Sequence, residues 1–354
     1  MSESLTHARL ADHVLGSMAA AALGDAMGAA TEQHTIDEIV AAYGGLLREL
    51  REPSPETFSY GNKAGQITDD TSQMFALAQT IIDCDGELTE QAWLKTLIDW
   101  SQNSPHRTQM GPTTRPLLQA LAAGQDTSAI GRGLSARKLT SFGASNGAAM
   151  RIAPAGLLHP GDIEGAVRLA WLTSKPTHDT QIAAAGAGAI AAGVAHALMP
   201  GADVLSVVRA CIDGARLGEA IGKREGRHIP GPSIARRIEI AVEEALRATS
   251  LLDAIRRIEA SVGNSVMMVE SAPAAVGVFV AAHGDVLDTV SAGASIGNDS
   301  DTVAAMAASL SGALRGIVNV PADMFATVKA VNEEDIEGLS AGLTEIAWRN
   351  YSKQ

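Results

Sequence analysis

Apolar residues recur at helical spacing along almost the whole chain, and alternating β-branched runs are short and few. Met74, Phe75, Ala78, Ile81 and Ile82 fall on one stripe of a 3.6-residue repeat, as do Trp93, Leu94, Leu97 and Ile98. Ile238, Ala241, Val242, Ala245 and Leu246 form a third stripe. A set repeating at this period turns one helix face to a core, whereas a half-buried strand needs a period of two. Near the end, Asn332 and Asp335 read as a cap pair ahead of Ile336, Leu339, Leu343 and Ile346. Ala-rich stretches at Ile182–Ala197 and Thr302–Leu314 favour helix by propensity and let backbones approach closely. Only Gly263–Val269 offers a strand, and weakly. The expected fold is all-α.

Loop-like segments at Arg48–Gly65 and Gly222–Pro232 are each bordered by helical signal, and no Gly/Ser-rich or charged linker divides the chain. A single domain over residues 1–354 is therefore expected. Acids outnumber bases, 40 Asp plus Glu against 27 Lys plus Arg, for a net charge of -13. That balance opposes binding to a nucleic-acid backbone or an anionic membrane, while leaving room for a small anionic substrate in a prepared pocket. Aromatic residues make up only 3%, too few for the stacking platforms of single-strand binders. Cys84 and Cys211 lack CxxC spacing and read as reduced core thiols. The first ten residues carry Glu3 and no basic run ahead of an apolar one, so no signal peptide is expected. Gln181–His196 is uncharged but too rich in Ala and Gly for a membrane span. A cytoplasmic protein is the expectation.

One local grammar occurs twice. Thr68-Asp69-Asp70-Thr71 opens one apolar helix, and Asp299-Ser300-Asp301-Thr302 opens another. Short oxygen-bearing side chains are ordinary helix caps, which accounts for one or two such residues per helix. If the two clusters met, each carboxylate pair about 4 Å apart would repel by about 4 kcal/mol at an effective dielectric near 20. Divalent cations would reverse that sign. An all-oxygen donor set selects Mg²⁺ first and Mn²⁺ or Ca²⁺ next. The residues alone leave open whether these are metal ligands or separate caps. Asp25, between Gly24 and Gly28, reads as a local cap, and Glu32 as a solvated acid.

Other patterns fail on their register. Asp83-Cys84-Asp85-Gly86 with Glu90 lacks the third acid of a calcium loop. Gly131-Arg132-Gly133-Leu134-Ser135-Ala136 has no preceding strand to make it a dinucleotide fingerprint. His106, His178 and His283 show no metal-ligand spacing.

Taken in order, the motifs resemble those of the ADP-ribosylglycohydrolase family. They are Gly24-Asp25-Ala26-Met27-Gly28 with Glu32, then Thr68-Asp69-Asp70-Thr71, then Gly111 with Thr113 and Thr114. Ser145-Asn146-Gly147-Ala148-Ala149-Met150-Arg151, Thr177-His178 and Gly297-Asn298-Asp299-Ser300-Asp301-Thr302 follow, so the match runs from about residue 12 to 316. The resemblance implies a single compact all-α domain and a pair of Mg²⁺ ions, with Mn²⁺ as a substitute. By motif, the ligands are Thr68, Asp69, Asp70, Asp299, Asp301 and Thr302. Glu32 matches the family's mobile acid, and Asp25 would support the site from behind. Glu32, Gly111, Ser145, Asn146, Gly147, Ala148, Met150, Arg151 and His178 would contact substrate, with Arg151 a charge partner for phosphate.

The implied reaction is hydrolysis of the N-glycosidic bond of an ADP-ribosylated acceptor, with Glu32, Asp301 or Asp70 taking the proton from water. Candidates to stack on adenine are few: Tyr43, Phe58, Tyr60 and Phe142. Two alternatives stand beside it. One is a hydrolase of a smaller N-riboside or nucleoside, and the other a catalytically silent helical protein that binds a ligand.

Overall fold

The computed structural model describes residues 4–111, 113–125 and 142–353. Within them lie sixteen α-helices. In order they are α1 (His7–Gly28), α2 (Ile36–Tyr43), α3 (Asp69–Asp83), α4 (Glu90–Asn103), α5 (Thr114–Ala122), α6 (Ala153–Leu157), α7 (Ile163–Ser174) and α8 (Gln181–Ala197). Then follow α9 (Val204–Glu225), α10 (Ile234–Arg247), α11 (Leu251–Val262), α12 (Met268–Ala281), α13 (Val286–Ser295), α14 (Ser300–Arg315), α15 (Ala322–Asn332) and α16 (Ile336–Tyr351). Among the described residues there is no β-strand, only isolated bridges joining Ser145 to Met267 and Thr180 to Arg227. The strand-like Gly263–Val269 reduces to the first of these bridges, because α12 begins at Met268. The Gly131–Ala136 pattern lies outside the described residues.

Position within the fold follows from composition around each helix. In α8 and α14, and in α1 from Gly16 onward, nearly every residue is buried, so these helices have no polar face to offer solvent there and run through the middle. In α10 and α11 the buried residues fall on one stripe, and these helices lie outside. Alanine contributes little apolar area per residue, so the central helices gain by close backbone approach and dispersion instead. The most extensive helix pairing is α1 against α14. A Cβ on Gly24 would stand 2.6 Å from the Ala304 carbonyl oxygen, and one on Gly28 2.4 Å from Asp301 Cα. The two glycines therefore do not interrupt α1; they let it touch the start of α14.

One local expectation is corrected. Asn332 closes α15 rather than capping α16; its side chain accepts from Ile67 N at 3.0 Å and donates to the Gly65 carbonyl at 2.8 Å. Asp335 alone caps α16, accepting from Gly338 N. The near-calcium pattern is the turn after α3, where Asp85 adopts a left-handed φ of 52° and pairs with Arg349. No helix among the described residues is long and apolar enough to cross a membrane.

Candidate metal centre

Asp25 lies in the last turn of α1, fully buried, yet the helix it caps is α3. Its carboxylate accepts from Thr68 N at 3.0 Å and from Thr71 N at 3.1 Å. The Thr68 hydroxyl, as N-cap, accepts from Asp70 N at 3.3 Å. With the N–H groups of Asp70 and Thr71 met by Thr68 and Asp25, the side chains of Asp69 and Asp70 are not needed to cap them. Asp69 accepts from Gln73 Nε2 at 3.1 Å, one helical turn on. Asp70 Oδ2 is buried with no hydrogen-bond partner.

The start of α14 is built in the same spirit. Asp299 stands at the N-cap position but makes no side-chain cap bond; its Oδ2 instead accepts from Asn146 Nδ2. Ser300 donates to the Gly28 carbonyl at 2.9 Å, which fixes this helix start on the end of α1. The loop carrying Glu32 is tied in beside it: Gln33 N donates to Asn298 O at 2.7 Å and Asn298 N to His34 O at 2.9 Å. Glu32, Asp299 and Asp301 each offer a carboxylate oxygen, and these atoms all lie within 4.8 Å of one another.

The two clusters meet across one cavity of ≈ 540 Å³, whose wall includes Glu32, Asp69, Asp70, Asp299, Asp301 and Thr302. Burial first, then mutual repulsion, raises these acids. Glu32 is pushed up to about 8 by desolvation and by Asp299 and Asp69. Asp69 rises to about 7, through burial and then Asp25. Burial raises Asp299 to about 6 against the hydrogen bond from Asn146, and holds Asp70 and Asp301 well above the usual carboxylate range. Metal-free, the site favours protons it cannot all keep at neutral pH. An all-oxygen set of this charge, with one carboxylate oxygen left unpaired, fits hard divalent cations. Asp69, Asp70, Asp299, Asp301 and Thr302, on the cavity wall, could hold them; the Thr68 hydroxyl accepts from Asp70 N beside them, and Glu32 shares a cluster with Asp299 and Asp301.

The rest of the expected substrate surface divides. Gly111, Ser145, Asn146, Gly147 and Met150 line the same cavity, with Phe58 at its rim. Three expected contact residues do not reach it. Ala148 is fully buried, and so is His178, whose ring packs against Gly147 so closely that a Cβ there would lie 2.9 Å from Cε1. Arg151 is fully buried too, donating to Gln73 Oε1 at 2.6 Å and Thr177 Oγ1 at 2.9 Å, with its guanidinium 5.4 Å from the Trp93 ring centre. It is therefore no direct phosphate partner; its charge sits behind the acids. Of the adenine candidates, Phe58 alone is on the wall; Tyr43 packs against the core, Tyr60 is exposed, and neither they nor Phe142 line the cavity.

Sequence reasoning missed two supports. Gln73 carries a readable signal, since it follows Asp69 by four residues and shares its helix face. Asn264 carries none. It donates to the carbonyls of Ile296 and Gly297 at 2.7 and 2.9 Å and its own carbonyl accepts from Asp299 N at 3.2 Å, bracing the loop into α14.

Fold and cavity together define an all-α protein whose acids, drawn from distant helix starts, share one pocket. A sequence model of the ADP-ribosylglycohydrolase family matches residues 6–352, and the chain belongs to that family, one of glycohydrolase type. It is 30% identical over 338 residues to the uncharacterized protein YegU of Escherichia coli K12, covering 94% of this chain and 97% of that one. An uncharacterized protein of Archaeoglobus fulgidus is 31% identical over 175 residues, 49% of this chain and 52% of its own. Among solved structures, an ADP-ribosylglycohydrolase-related protein complex shares the fold with a TM-score of 0.67 and 21% identity, covering 96% of this chain and 99% of that one.

Proposed function

We propose that the protein hydrolyses the N-glycosidic bond of an ADP-ribosylated acceptor, such as a modified arginine, at a centre of two Mg²⁺ ions. The observation that carries this reading is the shared cavity on which Glu32, Asp69, Asp70, Asp299, Asp301 and Thr302 converge. When bound, the ions supply Lewis acidity toward ribose hydroxyls and a water, and cancel the repulsion among the carboxylates. Asp69, Asp70, Asp299 and Asp301 orient the sugar with them and stabilise the positive charge that grows on the anomeric carbon. Glu32, half-buried beside Asp299 and Asp301, takes the proton from the attacking water in this reading, with Asp301 and then Asp70 as the other acceptors. Ser145, Asn146 and Gly147 hold the ribose-phosphate part, and Met150 and Phe58 the apolar end. The two free cysteines, Cys84 and Cys211, accord with a reducing, cytoplasmic setting.

One observation favours a smaller N-riboside as substrate. Among the described wall residues the only cation is Arg115, and its Nη2 is engaged by the carbonyls of Thr108 and Met110. Among the described wall residues a diphosphate would meet only the remaining N–H groups of Arg115. Rates with Mg²⁺ on an ADP-ribosyl-arginine peptide and on a panel of nucleosides separate the two readings. Faster cleavage of the peptide supports the first. Cleavage of neither, across a broad ribosyl panel, returns the site to ligand binding alone.

A further inference from the structure

Ser145 is the one residue of the 145–151 loop whose side chain joins the cavity to a buried chain of hydrogen bonds. Its Oγ lies 2.9 Å from His178 Nε2, and His178 Nδ1 lies 2.8 Å from Thr177 Oγ1. Thr177 Oγ1 in turn accepts from Arg151 Nη2 at 2.9 Å. His178, Thr177 and Arg151 are all buried, with relative exposures of 0%, 3% and 0%.

Donor counting gives this chain a direction. A guanidinium only donates, so Thr177 must accept from it. The Thr177 hydroxyl hydrogen then has one acceptor in reach among the described residues, His178 Nδ1. Were Nδ1 itself protonated, a buried hydroxyl hydrogen would be left without a partner, which folded interiors avoid. His178 is also kept uncharged, since burial and the nearby Arg151 charge pull it down to about 3. A neutral ring accepting at Nδ1 carries its proton on Nε2, and that N–H donates to Ser145 Oγ. The Ser145 hydroxyl hydrogen has no protein acceptor among the described residues, and Ser145 lines the cavity.

The geometry points to Arg151, Thr177 and His178 as positioning residues that make Ser145 a fixed hydrogen-bond donor into the cavity, aimed at an acceptor oxygen of the ligand. A phosphate oxygen or a ribose ring or hydroxyl oxygen meets that requirement; a ligand N–H does not. Gly147 belongs to the same device, because a side chain there would displace the His178 ring. The identity of the ligand rests on the proposed function, but the direction of the relay does not.

The test is therefore spectroscopic first. Long-range proton–nitrogen correlation spectra of the full-length protein, assigned by comparison with His178→Gln, are expected to show His178 neutral and protonated on Nε2 from pH 6 to 8. Thr177→Ser keeps that signature, whereas Thr177→Val, which withdraws the donor to Nδ1, yields a mixture of tautomers. An Nδ1-protonated or charged His178 in the wild type overturns the relay, as does a Thr177→Val spectrum identical to the wild type. With ADP-ribose and Mg²⁺ as probe, Ser145→Ala and Thr177→Val each weaken binding about tenfold, the worth of one lost oriented hydrogen bond, and Thr177→Ser restores it. Wild-type affinity in Ser145→Ala overturns the donor role. The expected tautomers without any ADP-ribose binding by the wild type uphold the relay and count against the proposed substrate.

Discussion

Gly28 and Asp301 touch backbone to backbone: a Cβ on Gly28 would fall 2.4 Å from Asp301 Cα and 2.5 Å from Asp301 N. The residue at the end of α1 thus sets the position of a carboxylate at the start of α14. No flexible side chain stands between them to absorb an added methyl group.

Gly28→Ala is accordingly expected to push α1 and α14 apart and to cost about 3 kcal/mol, the upper range for overpacking. Thermal melting reads the loss, and titration with Mg²⁺ reads the displaced Asp301 as weakened stabilisation by the metal. A variant with wild-type Tm and wild-type response to Mg²⁺ contradicts the rigid contact.

Asp70→Asn and Asp301→Asn are expected to lower ribosyl-bond hydrolysis by about two to three orders of magnitude while keeping the helical circular dichroism spectrum. Each also removes a buried carboxylate held well above its usual range by desolvation and neighbouring acids. In EDTA at pH 8 their Tm should therefore equal or exceed that of the wild type. Full activity in either variant removes the proposed centre.

Stability of the metal-free protein should depend on pH with a definite sign. Asp299, Asp69 and Glu32, raised to about 6, 7 and 8, hold protons in the folded state that the unfolded chain releases near 3.8 to 4.5. Their contribution is fully present below the unfolded values and is lost as pH rises through the folded ones. In EDTA the Tm should fall between about pH 5 and pH 8 through these groups, and saturating Mg²⁺ should flatten or reverse that trend. Identical profiles with and without Mg²⁺ would show that no cation binds among these acids.

Arg151→Met retains most of the packing on Trp93 but leaves Gln73 Oε1 and Thr177 Oγ1 without their donor and removes the buried charge behind Asp69. A loss of about 3 kcal/mol is expected. Arg151→Lys should rescue little of it, because one ammonium does not reproduce two directed guanidinium bonds. Denaturant melts of both variants give the comparison. Near-neutral effects would mean that Arg151 is a surface-like residue, at odds with its complete burial.

How far the chain could be read from its residues depended on the range of the physics involved. Helical spacing is local, so the stripes at Met74–Ile82, Trp93–Ile98 and Ile238–Leu246 foretold α3, α4 and α10, and the all-α class follows from them. The repeated acid-rich helix starts were also visible, because charge density and donor chemistry are properties of neighbouring residues. What the tertiary structure decided was partnership. Asp25 looks like a local cap in sequence but caps a helix more than forty residues away, and Arg151 looks like a phosphate ligand but is enclosed. Asn264 is unremarked in sequence and holds the loop into α14. Burial, and the side chain that meets a given hydrogen-bond donor or acceptor, depend on which distant segments pack together, and no periodicity along the chain encodes that.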